Sequence, residues 1–160
     1  MNTGSQAGKV ASIHLHAATS GDPLRSVNEI RAEADKGIVG EPRFFGRKDR
    51  NGKPSRRQMS LMAREQIAEH AAALGLPSIA PGAVRANIET VGIDLISLVG
   101  QEVKVGEAVL FFYEPRTGCA KMDVVAPGLR ELVKNSRLGV MAQVIQSGDI
   151  RAGDTIGLNV

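Results

Sequence analysis

The sequence has no tryptophan, one tyrosine, four phenylalanines and a single cysteine in 160 residues. Each scarcity removes a class of function. So few aromatic rings leave no extended stacking platform for single-stranded nucleic acid, and nucleic acid is not an expected partner. One cysteine makes no internal disulfide, no four-cysteine zinc site and no thiolate-held iron–sulfur cluster. Any electrons the protein uses must then come from elsewhere. No uninterrupted apolar run approaches the roughly 20 residues of a membrane span, so no membrane association is expected. Residues 1–9 are small and polar, without the charged flank and apolar stretch of a secretory signal. A glycine-x-serine-x-glycine elbow and the glycine-rich nucleotide loops are also missing. The expectation is one domain in a reducing compartment, most simply the cytoplasm, with residues 1–8 flexible and no need of a disulfide to fold.

Charge is present but unevenly spread. The net formal charge is +3, yet residues 43–64 hold Arg43, Arg47, Lys48, Arg50, Lys53, Arg56, Arg57 and Arg64 against only Asp49, so this stretch carries +7 and the remainder −4. Such a patch is either a solvated loop or an attractor of anions: a phosphorylated small molecule or an acidic partner.

Alternation over 10–16 predicts a first strand closed by Ser20-Gly21-Asp22-Pro23, with a second at 26–30. Glycine and proline recur through 37–55, which reads as a long loop or a set of turns. The apolar stretch 57–62 leads into a helix over 63–74, ended by Gly75, with Ile67, Ala71 and Leu74 on its buried face and Glu65, Glu69 and His70 away from it. Five short strands follow, at 84–91, 101–105, 108–113, 139–145 and 155–160, with Gly148-Asp149 and Gly153-Asp154 as turns and a short helix over 128–135. Many short strands and few helices predict a mainly β barrel or sandwich.

Cys119 is the chemical handle. A thiol acts as nucleophile or soft-metal ligand only as thiolate, and neighbouring cations favour that form. Arg116 and Lys121 lie three and two residues away, while Pro115 and Gly118 suit a turn that presents the sulfur at a strand end. A small buried apolar role is the alternative. His14 and His16 share a strand face, so they either reach one metal or make ordinary hydrogen bonds. Asp94 and Glu114 are candidate proton donors or simple turn and strand-end residues.

The ordered set Gly37-Ile38-Val39-Gly40, Arg57-Gln58-Met59-Ser60-Leu61-Met62, Pro81 to Ile88 with Arg85-Ala86-Asn87, Gly92-Ile93-Asp94-Leu95, Leu98-Val99-Gly100, the Cys119 segment, Gly139 to Ile145 and Gly148 to Asp154 resembles the MOSC domain. That is the module at the C-terminal end of molybdenum-cofactor sulfurases, which also occurs as small free-standing bacterial proteins. The resemblance covers roughly residues 37–157 and lies in the set, not in any one piece. It implies a MOSC-like antiparallel β-barrel with two or three short helices. It further implies that Cys119 ligates molybdenum through a molybdopterin-type cofactor or carries transferable sulfur. Arg85 and Asn87 match the family's arginine-x-asparagine element. The cofactor's phosphate requires basic donors, which gives Arg43, Arg56, Arg57 and Arg85 a role, with Arg116 and Lys121 beside the thiol. The module alone implies no pyridoxal phosphate site. Where many members carry glycine-aspartate-arginine, this chain has Gly40-Glu41-Pro42-Arg43.

Three readings follow. In the first, Cys119-ligated molybdenum supports reduction of N-hydroxylated or N-oxygenated small molecules, with a separate reductase as electron donor. In the second, Cys119 is a persulfide carrier served by a sulfur donor. In the third, the chain is a non-catalytic module for an anionic ligand or the pterin cofactor.

Overall fold

A computed structural model describes residues 7–118 and 122–160. Its first strand, β1 (Gly8–Leu15), is apolar on alternate positions and buries Val10 and Ile13. The segment expected to form one strand at 26–30 is split into β2 (Arg25–Val27), which pairs with β1, and β3 (Glu29–Glu33), which pairs with β4 (Gly37–Ile38) and joins another sheet. Local alternation cannot reveal that split, because it depends on distant partners.

β5 (Met59–Ala63) runs directly into helix α1 (Arg64–Ala73), and the chain returns in β6 (Ile88–Val91). The helix acts as a crossover, so β5 and β6 pair in parallel. The other strand pairs are antiparallel. β7 (Glu102–Val105), β8 (Ala108–Pro115), β9 (Val140–Gln146) and β11 (Thr155–Leu158) complete the large sheet. Its order, β11-β7-β8-β9-β5-β6-β1, closes through a β11–β1 pairing into a seven-stranded barrel. The turn expected at Gly148-Asp149 is instead the start of β10 (Gly148–Arg151), which pairs with β3 in the three-stranded sheet. No helix among the described residues is long and apolar enough to cross a membrane.

The barrel interior holds Ile13, Leu61, Ile88, Leu110, Phe112, Val140 and Ile156. β5 is buried on both faces. Leu61 points to this interior, whereas Met62 joins a second apolar cluster with Ile67, Val84, Leu129 and Leu138. That cluster seats α1 and the short helices α2 (Met122–Val125) and α3 (Leu129–Leu132) against the outside of the barrel.

Three local expectations change. Ile67 and Ala71 are buried and Leu74 partly so, but His70 is buried with them and its Nε2 lies 2.8 Å from the Arg137 carbonyl. Residues 84–87 are not strand. They belong to a turn in which Gly82 has φ +84° and Arg85 φ +65°, a left-handed conformation that re-aims the chain before β6. Residues 1–6 of the segment expected to be flexible lie outside the described residues, while Gly8 already pairs with Ile156.

Candidate functional site

The β4–β5 connection, the turn before β6 and the end of β8 converge beside the barrel and enclose a cavity of about 340 Å³. Arg43, Arg57, Arg85 and Arg116 line it, against one carboxylate, Glu114. Thr117 and Gly118 on one side of Cys119, and Met122 on the other, line it as well. Cys119 and Lys121 themselves lie outside the described residues.

Each arginine is held in a specific way. Arg116 donates through Nη2 to the Val84 carbonyl at 2.8 Å, tying the approach to Cys119 to the turn before β6. Arg85 donates to the Asp22 carbonyl at 3.1 Å. The guanidinium groups of Arg57 and Arg43 lie 5.2 and 5.7 Å from the Phe44 ring centre, within cation–π range. Arg56, expected as another phosphate partner, lies 4.4 Å over Tyr113 and is not among the lining residues. Burial, reinforced by Glu114, pushes the Tyr113 hydroxyl above its ordinary pKa against the opposing charges of Arg57 and Arg56, so it stays protonated at neutral pH.

Behind the lining lies a buried polar network. Glu41, 1% exposed, accepts from Asn87 Nδ2 at 2.8 Å, from the His16 ring Nδ1 at 2.9 Å and backbone N–H at 3.3 Å, and from the Arg43 backbone N–H at 3.2 Å. Burial alone would raise its pKa, but the His16 contacts and the Arg43 N–H outweigh it and bring the carboxyl below its usual range. Asn87 lies behind the cavity wall, fully buried. Its amide also donates to the His14 carbonyl at 3.1 Å and its oxygen accepts from the Ser60 N–H at 3.1 Å, so it joins β1, β5 and the turn before β6. His16 lines the cavity and packs edge-on against Phe44, with ring centres 5.6 Å apart.

His14, two residues earlier, belongs to a different network. Its Nε2 is 2.7 Å from Ser12 Oγ and its Nδ1 3.3 Å from Ser26 Oγ. Glu89 stands 3.8 Å away, but its oxygens are engaged by Arg64 Nε at 3.1 Å and the Gly82 N–H at 2.7 Å. Burial lowers the His14 pKa, with Arg64 adding to the effect and Glu89 opposing it. The two histidines therefore make ordinary hydrogen bonds to separate partners, and the described residues contain no group of three His, Cys, Asp or Glu able to hold a metal.

The two candidate proton donors also separate. Glu114 lines the arginine cavity, whereas Asp94 lines a different hollow of about 440 Å³ with Glu65 and Glu69, which carries no basic residue. Size alone would favour the larger hollow; the convergent cations and the flanks of Cys119 favour the smaller one. Sequence reasoning missed Phe44, Ser60, Tyr113 and Met141 as lining residues. For Phe44 the usable signal is an aromatic directly after Arg43 in a basic loop. The others sit on strands whose outward faces meet the cavity only after closure.

These features define a small closed β-barrel with an arginine-lined cavity at its side. The MOSC domain model matches residues 18–157, and the chain belongs to the MOSC domain family. Its fold is similar to that of the YuaD protein from Bacillus subtilis, with a TM-score of 0.78 at 21% identity over 96% of each chain. It is also similar to YiiM from Geobacillus stearothermophilus, with a TM-score of 0.69 at 17% identity over 96% of this chain and 75% of that one. For YiiM from Escherichia coli the TM-score is 0.67 at 19% identity, over 98% of this chain and 70% of that one. No curated protein matches the sequence.

Proposed function

We propose that this protein binds a molybdopterin-type cofactor in the arginine-lined cavity, with the Cys119 thiolate as protein ligand to molybdenum, and supports reduction of N-hydroxylated or N-oxygenated small molecules. The supporting observation is the convergence of Arg43, Arg57, Arg85 and Arg116 on one cavity whose wall includes Thr117 and Gly118, before Cys119 in sequence, and Met122, after it. The residues suit the group. Guanidinium forks match a phosphate, and about 340 Å³ falls within the roughly 300–1,000 Å³ of small-molecule sites. When bound, the cofactor supplies the two-electron chemistry, with electrons from a separate reductase.

The chain's own residues bind and orient. Arg43, Arg57 and Arg85 make no ion pair among the described residues, so their charge is available to an anion. Tyr113, kept protonated, offers a hydroxyl that donates as well as accepts. The Asn87 bridge holds the Arg85 turn against β1 and β5.

The test is molybdenum content after expression in cells that make the cofactor. Wild type should retain molybdenum and Cys119→Ser should lose it; metal-free wild type overturns the assignment. The arginines alone also support a second reading, an anionic-ligand module that does not use the thiol. It requires affinity that falls steeply with salt and is indifferent to Cys119→Ser. A reducible gain of one sulfur at Cys119 in the intact mass would instead support persulfide carriage.

A further inference from the structure

We infer that His16 is the proton-exchanging contact of the cavity: through Nε2 it meets an oxygen of the bound molecule, accepting a hydrogen bond when neutral and donating one when protonated. The inference rests on the reading of this cavity as a ligand site. It is carried by the division of labour between the two ring nitrogens. Nδ1 faces Glu41 at 2.9 Å, and Glu41 is buried behind the cavity wall. An ionised carboxylate only accepts, so it selects the tautomer with the proton on Nδ1 and leaves the lone pair on Nε2. Nε2 makes no hydrogen bond to any described residue, and the His16 side chain lines the cavity.

The ring is also fixed in place. Its own backbone N–H donates to the same Glu41 oxygen, Asn87 holds that oxygen from another side, and Phe44 packs against the ring at 88°. A carboxylate behind an imidazole does two things: it orients the ring and stabilises the imidazolium once Nε2 takes a proton. Glu41 is thus a positioning residue for His16. Among the described residues, the other titratable or charged groups that share the cavity with the ring are Arg43, Arg57 ahead of β5, Arg85 in the turn before β6, and Tyr113, Glu114 and Arg116 at the end of β8. Among the described lining residues the guanidinium forks only donate and Tyr113 keeps its hydroxyl proton, whereas a histidine ring nitrogen can accept or donate. The step is a simple transfer. The Nε2–H proton passes to the ligand oxygen, the ring becomes neutral, and solvent restores the proton through the cavity mouth. The other two histidines are placed differently, with both His14 nitrogens near serine hydroxyls and His70 Nε2 at a backbone carbonyl.

The experiment needs no molybdenum. Nitrogen-15 NMR of the full chain labelled at histidine should show His16 with Nδ1 protonated and Nε2 bare at about pH 8, its signal assigned by loss in His16→Gln. Calorimetry with sodium sulfate, whose charge is constant over this range, should then show affinity rising about tenfold between about pH 8 and about pH 6. That rise should vanish in His16→Gln while some sulfate binding persists. The opposite tautomer, or an unchanged pH dependence in His16→Gln, overturns the inference. Failure of wild type to bind sulfate at any pH counts against the anionic-ligand reading of the cavity, and the tautomer then decides the role of His16 by itself.

Discussion

His14 and His16 stand two residues apart at the end of β1, each buried and each near a glutamate, yet they serve opposite ends. Around His14 the carboxylate of Glu89 is engaged by Arg64 and the Gly82 N–H, and serine hydroxyls occupy the ring. Around His16 the carboxylate of Glu41 has, among the described residues, no arginine side chain on it but the backbone N–H of Arg43 and the amide of Asn87, and it turns to the imidazole. What a buried histidine can do is therefore decided one layer out, by what else its carboxylate is holding. The first network is closed and structural. The second opens onto the cavity.

The comparison can be broken most severely at Asn87. Asn87→Ala leaves the Glu41 carboxylate and the Ser60 N–H short of a buried donor and acceptor, and should cost about 3 kcal/mol in urea denaturation. Gly82→Ala attacks the closed network instead. The residue has φ +84°, and a Cβ there would come within 2.9 Å of His14 Nδ1. A loss of about 2 kcal/mol is expected, with the arginine cavity intact by its sulfate affinity.

The finest distinction is in pH. His14 has a lowered folded pKa, so the unfolded chain takes the proton first and stability falls as pH drops below 6.5. Glu41 also has a lowered folded pKa, so its contribution is present above 4.5 and is lost as pH falls further. Urea midpoints measured against pH should thus decline in two stages. His14→Gln should remove the upper stage only and Glu41→Gln the lower only; a single stage surviving both changes would refute the assignment.

Much of the barrel was legible because its strands carry strong local patterns: β1, β7, β8, β9 and β11 fall where alternation and turn residues place them. β10 was not, because Gly148 and Asp149 look like punctuation until β3 arrives to pair with them. His70 was placed outward by helical periodicity, which does not know that the Arg137 carbonyl waits across the fold. At the site, the basic stretch and Arg85 were readable as charge. Glu41 was set apart only by its departure from the family pattern, and its role as the hub of the network depends on contacts 25 and 46 residues away in sequence.

Closure of the seven-stranded barrel has a further consequence. A sheet joined to itself offers no long row of unpaired backbone groups for another chain to copy. The open margins that remain are short: β2 spans three residues and includes Arg25, β4 spans two, and β10 presents Asp149 and Arg151, already tied to each other. The described strands give fibril growth no long flat template, so little tendency to assemble edge to edge is expected at high concentration.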